Sequence, residues 1–145
     1  MVTRFDNKTF IENSRWRENN NYKGCIYNCP TVINSNIPLL SELFVIEMNN
    51  SVNEIIAIGK ITNKINFNQK FKIYEENNYN RYTYKGKYRI NREDIKYLNI
   101  EKLENILFKG KSHLKRGQGI TAVPITLEKK ILNDIKLNFD DVKIH

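Results

Sequence analysis

Cysteine is scarce: the 145-residue chain holds only Cys25 and Cys29. Two thiols cannot build the disulfide framework of a small secreted domain. Four positions apart and without a second pair, they also fall short of a structural zinc site. Histidine is limited to His113 and the terminal His145. With three prolines and six glycines there is no Pro-, Gly- or Ser-rich linker, and no internal repeat is found. No apolar run approaches the roughly 18–20 residues of a membrane span. The first residues, Met1–Val2–Thr3–Arg4–Phe5–Asp6–Asn7, lack the apolar core of a secretory signal. These absences predict a single soluble domain over 1–145 in a reducing compartment, cytoplasmic or nuclear and not secreted, with no membrane partner.

What the chain does carry is positive charge, a formal net +8. Asn, Ile and Lys supply 22, 20 and 17 residues. All three have AT-rich codons, so the placement of the charge says more than its total.

Patterning predicts strands first and helices after. A short helix is expected over 6–18, a strand over 24–28 stopped by Pro30, and a helical turn over 38–42. Leu43–Met48 and Glu54–Thr62 read as a hairpin around Asn49–Asn53. Apolar side chains on both faces of its second strand predict burial on both sides, in a barrel or under a helix. Phe71–Tyr74 reads as a further strand. Residues 81–90 alternate Tyr82, Tyr84, Gly86, Tyr88 and Ile90 with Arg81, Thr83, Lys85, Lys87 and Arg89. One regular strand there would have an aromatic face and a basic one, with a bend at Gly86. Ile100, Leu103, Ile106 and Leu107 have helical spacing, and Gly110 ends that helix. Ile120–Val123 reads as a short strand, and Pro124 opens a last helix along Leu127, Ile131, Leu132 and Ile135. The expected class is α+β, a small curled antiparallel sheet with flanking helices.

Enzyme signatures are weak. Gly110–Lys111–Ser112 is no P-loop, because Asn105 stands where its first glycine belongs. A Cys29–His113 nucleophile pair has as its plain alternative a buried thiol and a loop histidine. Glu47 and Glu54 with Lys60 are the only faint candidates for a metal-dependent nuclease site. The reading is therefore non-catalytic, without metal or cofactor.

Binding signals are stronger. The loop 109–119 carries Lys109, Lys111, Lys115 and Arg116 and no acid. Its three glycines let backbone amides approach a polyanion, and Ser112, His113 and Gln118 add neutral donors. Lys85, Lys87 and Arg89 of the alternating segment join them as candidate phosphate contacts, with tyrosines positioned to face the core or stack on bases. Trp16, between Arg15 and Arg17, is either a core residue or a base-stacking one.

The sequence resembles the PUA-like superfamily, particularly its EVE and YTH-type branch of modified-base readers. The resemblance rests on Lys23–Gly24–Cys25–Ile26–Tyr27–Asn28–Cys29–Pro30, on Phe44–Val45–Ile46 with Ile56–Ala57–Ile58–Gly59–Lys60–Ile61, and on Tyr84–Lys85–Gly86–Lys87–Tyr88. It spans about residues 22–125. Lys115–Arg116–Gly117–Gln118–Gly119 is also similar to segments in proteins of large DNA viruses. The resemblance implies a PUA-like β-barrel whose open end takes a flipped base, with Tyr27, Asn28 and Cys29 lining the pocket and Trp16 as an aromatic wall. The expected function is thus binding of an unstacked base, modified or plain, in RNA or single-stranded DNA. A viral setting would add viral protein partners. The alternative is a structural, virion-associated protein that contacts acidic partners or genome by bulk charge.

Overall fold

The computed structural model describes residues 1–67 and 70–144, with side chains through residue 142. Strand β1 (Val2–Phe5) leads into helix α1 (Asn7–Asn19), followed by β2 (Cys25–Cys29), β3 (Glu42–Asn49) and β4 (Glu54–Thr62). Strands β5 (Tyr82–Gly86) and β6 (Tyr88–Asn91) precede helices α2 (Ile100–Phe108) and α3 (Ile125–Ile144). The α+β class is as expected, but the strands form two sheets and no closed barrel among the described residues. No described helix is long and apolar enough to cross a membrane.

The expected hairpin is the centre of the larger sheet. β3 and β4 pair antiparallel from Glu42–Thr62 to Asn49–Glu54, with a register shift at Glu47/Met48. Asn53 closes the loop in the left-handed region, φ 56°, which asparagine tolerates better than most residues. β6 pairs antiparallel with β4, and β1 pairs parallel with β3, giving the order β1-β3-β4-β6. β2 and β5 make a separate antiparallel ribbon.

Both faces of the larger sheet are covered, which accounts for the apolar residues on both sides of β4. On one face Ile46, Met48, Ile58 and Ile90 meet Leu103 and Leu107 of α2 and Ile135 and Phe139 of α3. On the other, Val45 and Ile61 meet Ile26, Tyr27 and Tyr84 of the ribbon, with Phe10 and Trp16 of α1 packed against them. Two glycines set how near the sheets come. A Cβ on Gly59 would lie 2.1 Å from the Tyr27 hydroxyl, and one on Gly86 would lie 1.7 Å from the Lys60 carbonyl oxygen. Any side chain at either position would force the layers apart.

Four local expectations are corrected. Residues 81–90 are not one strand: the chain leaves the ribbon after Gly86 and joins β4 from Tyr88, so the two-faced pattern is split between sheets. Phe71–Tyr74 is not a strand, because side chains replace its ladder. Asn80 Oδ1 accepts from the Ile73 and Tyr74 amides (3.2 and 3.1 Å), and Asn28 Nδ2 donates to the Phe71 carbonyl (2.7 Å). Residues 38–42 are not a helical turn: 38–41 form a tight turn with Leu40 at φ 68°, and Glu42 already opens β3. Of 120–123, only Thr121 makes a β-bridge, to Val2.

Candidate functional site

A cavity of about 240 Å³ opens where the C-terminal ends of β1, β2 and β3 come together. β1 contributes Thr3, Arg4 and Phe5; the start of α1, Asp6 and Thr9; and β2 with its following residue, Tyr27, Asn28 and Pro30. Asn50 of the hairpin loop, Tyr74, Tyr79 and the Gly117–Gln118–Gly119 segment close the ring. The volume lies below the usual drug-sized range of about 300–1,000 Å³, so the space suits one small ring or a comparable group.

The polar groups of this wall are unevenly satisfied. Arg4 donates from Nε to the Leu114 carbonyl (2.6 Å) and from Nη2 to Thr121 Oγ1 (2.9 Å). Burial pulls its guanidinium pKa below the ordinary value. Asn50 Nδ2 donates to the Lys115 carbonyl at 2.9 Å. Arg4 Nη1 and Asn50 Oδ1 are both buried with no partner. Asn28, by contrast, is fully engaged: Nδ2 donates to Phe71 and to Asn80 Oδ1 (2.9 Å), and Oδ1 accepts from Thr83 Oγ1 at 2.5 Å. The Asp6 carboxylate caps α1 by accepting from the Thr9 amide at 2.7 Å. Tyr79 is the half-exposed aromatic of the wall and sits edge-on to Tyr74, ring centres 6.4 Å apart.

The resemblance-based pocket residues are only partly brought together here. Tyr27 borders the cavity, but its hydroxyl points into the core and donates to Glu47 Oε2 at 2.7 Å. Cys29 is buried and burial pushes its thiol up to about 12. Trp16 is outside the cavity wall, edge-on to Tyr22 and Phe71 with centroids 5.8 and 5.5 Å away.

The cations of the alternating segment also separate. Arg89 forms a two-pronged ion pair with buried Glu47, Nε and Nη2 lying 2.9 and 2.8 Å from the carboxylate. Burial alone would lower the Arg89 pKa, but the charge and hydrogen bonds of Glu47 outweigh it and raise the value. Lys85 sits between the Tyr22 and Phe71 rings, its ammonium 4.8 Å from each centroid. Lys87 alone of the three is exposed. Glu47, one of the faint metal candidates, is thus held by Arg89 and Tyr27. Among the described residues no group of three His, Cys, Asp or Glu is placed to hold a metal ion.

The basic loop is anchored yet open. Leu114 donates to the Leu107 carbonyl at 2.7 Å and packs on the α2–α3 core. Lys109, Lys111, Arg116 and Gln118 are exposed, Lys115 and His113 half-buried. His113 Nδ1 accepts from the Lys115 amide at 3.2 Å, and His145 lies outside the described residues. Gly110, Gly117 and Gly119 all have positive φ. At Gly117 the space a side chain would need is filled by the Arg4 guanidinium, 3.2 Å from an ideal Cβ.

Arg4, Asn50, Tyr74 and Tyr79 are absent from the sequence-based site. For two of them the signal was indirect: Arg4 is the one cationic side chain of the first seven residues, and Asn50 lies in a turn rich in asparagine. Comparison of the chain with protein-family models, with curated proteins and with solved structures finds no match.

Proposed function

We propose that this protein is a non-catalytic module that binds single-stranded RNA or DNA, seating one unstacked base in the cavity and the neighbouring phosphates on the basic loop. One observation carries the reading: the Gly117–Gly119 end of the polycationic loop is itself a wall of the cavity. A base-sized space and a phosphate-binding surface are therefore continuous. Tyr79, half-exposed in the same wall, supplies a ring on which a base can stack, and such stacking is sequence-tolerant. Lys109, Lys111 and Arg116 supply affinity by releasing counterions from the strand.

Fluorescence anisotropy with matched single-stranded RNA, single-stranded DNA and duplex, at two salt concentrations, tests this. Single strands should bind more tightly than duplex. Tyr79→Ala should cost about 1–3 kcal/mol of affinity. Lys111→Ala or Arg116→Ala should weaken binding to all sequences and reduce the salt slope by about 1. Equal binding of every polyanion, lost as salt rises and indifferent to Tyr79→Ala, would instead favour a structural protein acting through bulk charge.

A further inference from the structure

The two unpartnered atoms of the cavity wall are chemically opposite. Arg4 Nη1 is a charged donor and Asn50 Oδ1 a neutral acceptor. Both side chains are anchored on the same stretch of chain, gripping the consecutive carbonyls of Leu114 and Lys115. Buried polar atoms without partners are few in native proteins, so a donor and an acceptor left unpaired, on two residues that line one cavity, point to what that cavity should receive. A phosphodiester satisfies only the donor. It has no hydrogen to give Asn50 Oδ1, and it would bring negative charge towards the Asp6 carboxylate of the same wall. The Watson–Crick edge of a base carries an acceptor beside an N–H donor and satisfies both.

We propose that Arg4 and Asn50 are the residues that read the base, pairing with an adjacent acceptor and N–H donor on its Watson–Crick edge. This rests on the nucleic-acid reading above and moves recognition away from Tyr27 and Asn28. Neither open atom is exposed to water in the unliganded chain. Gly117 lies on the Arg4 guanidinium, so the proposal requires the Gly117–Gly119 segment to move outward when a base is seated. The reader is one of unmodified edges: a methyl group on a ring N–H donor, or two on an exocyclic amino donor, removes the bond to Asn50.

The test compares homo-oligonucleotides of each of the four bases with an abasic strand of equal length by anisotropy. The proteins are wild type, Arg4→Lys and Asn50→Ala, each first shown to keep its melting transition. The best homo-oligonucleotide should bind wild type about tenfold or more tightly than the abasic strand. Either substitution should bring that affinity close to the abasic level. Wild type should also bind the same strand, methylated so that its Watson–Crick donor nitrogen carries no hydrogen, about tenfold less tightly, a comparison that needs no variant. Base-bearing and abasic strands binding alike, or methylation without effect, overturns the Arg4–Asn50 assignment while the module survives. Binding of no strand at all overturns the module as well.

Discussion

Glu47 is a carboxylate with 1% exposure inside a sheet, tolerated because Arg89 and Tyr27 meet both of its oxygens. Such a pair contributes little compared with apolar residues of the same volume, whereas removing one partner strands a buried charge. Glu47→Ala should therefore destabilise the protein by about 3–5 kcal/mol, read as a drop in the urea midpoint. Replacing both, Glu47→Leu with Arg89→Met, should recover much of that loss. Sequence alone placed Arg89 among the candidate phosphate contacts and Glu47 among faint metal candidates, since nothing local pairs the two. What pairs them is cross-sheet proximity between residues 42 positions apart, which no local period encodes. The two thiols carry the same lesson in simpler form. Burial raises Cys25, like Cys29, to about 12 from an ordinary 9.0, so neither should react with a thiol reagent until the protein is unfolded in denaturant.

Elements were legible where a period of 2 or 3.6 persisted over several turns or residues. The β3–β4 hairpin and helices α2 and α3 follow from apolar spacing, whereas in α1 that spacing is imperfect and Asp6 with Thr9 caps the helix in a reciprocal box. β1 was missed because four residues offer too little alternation, and because its partner, β3, runs parallel and lies some forty positions away. The end of the 81–90 strand was missed for a different reason: the alternation continues through Lys87 although the backbone changes sheets there. The bend expected at Gly86 marks the place, but that the chain changes sheets there rests on its tight approach to Lys60, which no local pattern encodes. Gly59 is the matching constraint on β4. Gly59→Ala should cost about 1–3 kcal/mol as an overpacked core position. Much of that cost is the collision with the Tyr27 hydroxyl, 2.1 Å from the added methyl. In a Tyr27→Phe background, thermal or urea denaturation should show a smaller penalty for the same substitution.

At the scale of the whole molecule, the folded state keeps several groups protonated that the unfolded chain would ionise in alkali. Cys25 and Cys29 rise from 9.0 to about 12 through burial, and Tyr22 rises from 10.0 to about 12, also chiefly through burial. Each folded-state pKa is raised, so the associated stability is complete below pH 9 and declines between about pH 9 and 12. Denaturant midpoints across that range should fall, and Cys25→Ala should flatten the fall. The basic loop was plain in the sequence because its lysines, arginine and glycines are contiguous. The cavity beside it was not, because its wall is gathered from residues 3–9, 27–30, 50, 74–79 and 117–119. That dispersal has a consequence in time. Arg4 must wait for Leu114, 110 positions later in the chain, which at ~5–20 residues per second leaves it unpaired for roughly 5–20 s of synthesis. The β3–β4 hairpin can close early on local contacts. The site therefore matures last, and a refolding chain should regain its sheet signal before it can hold a ligand.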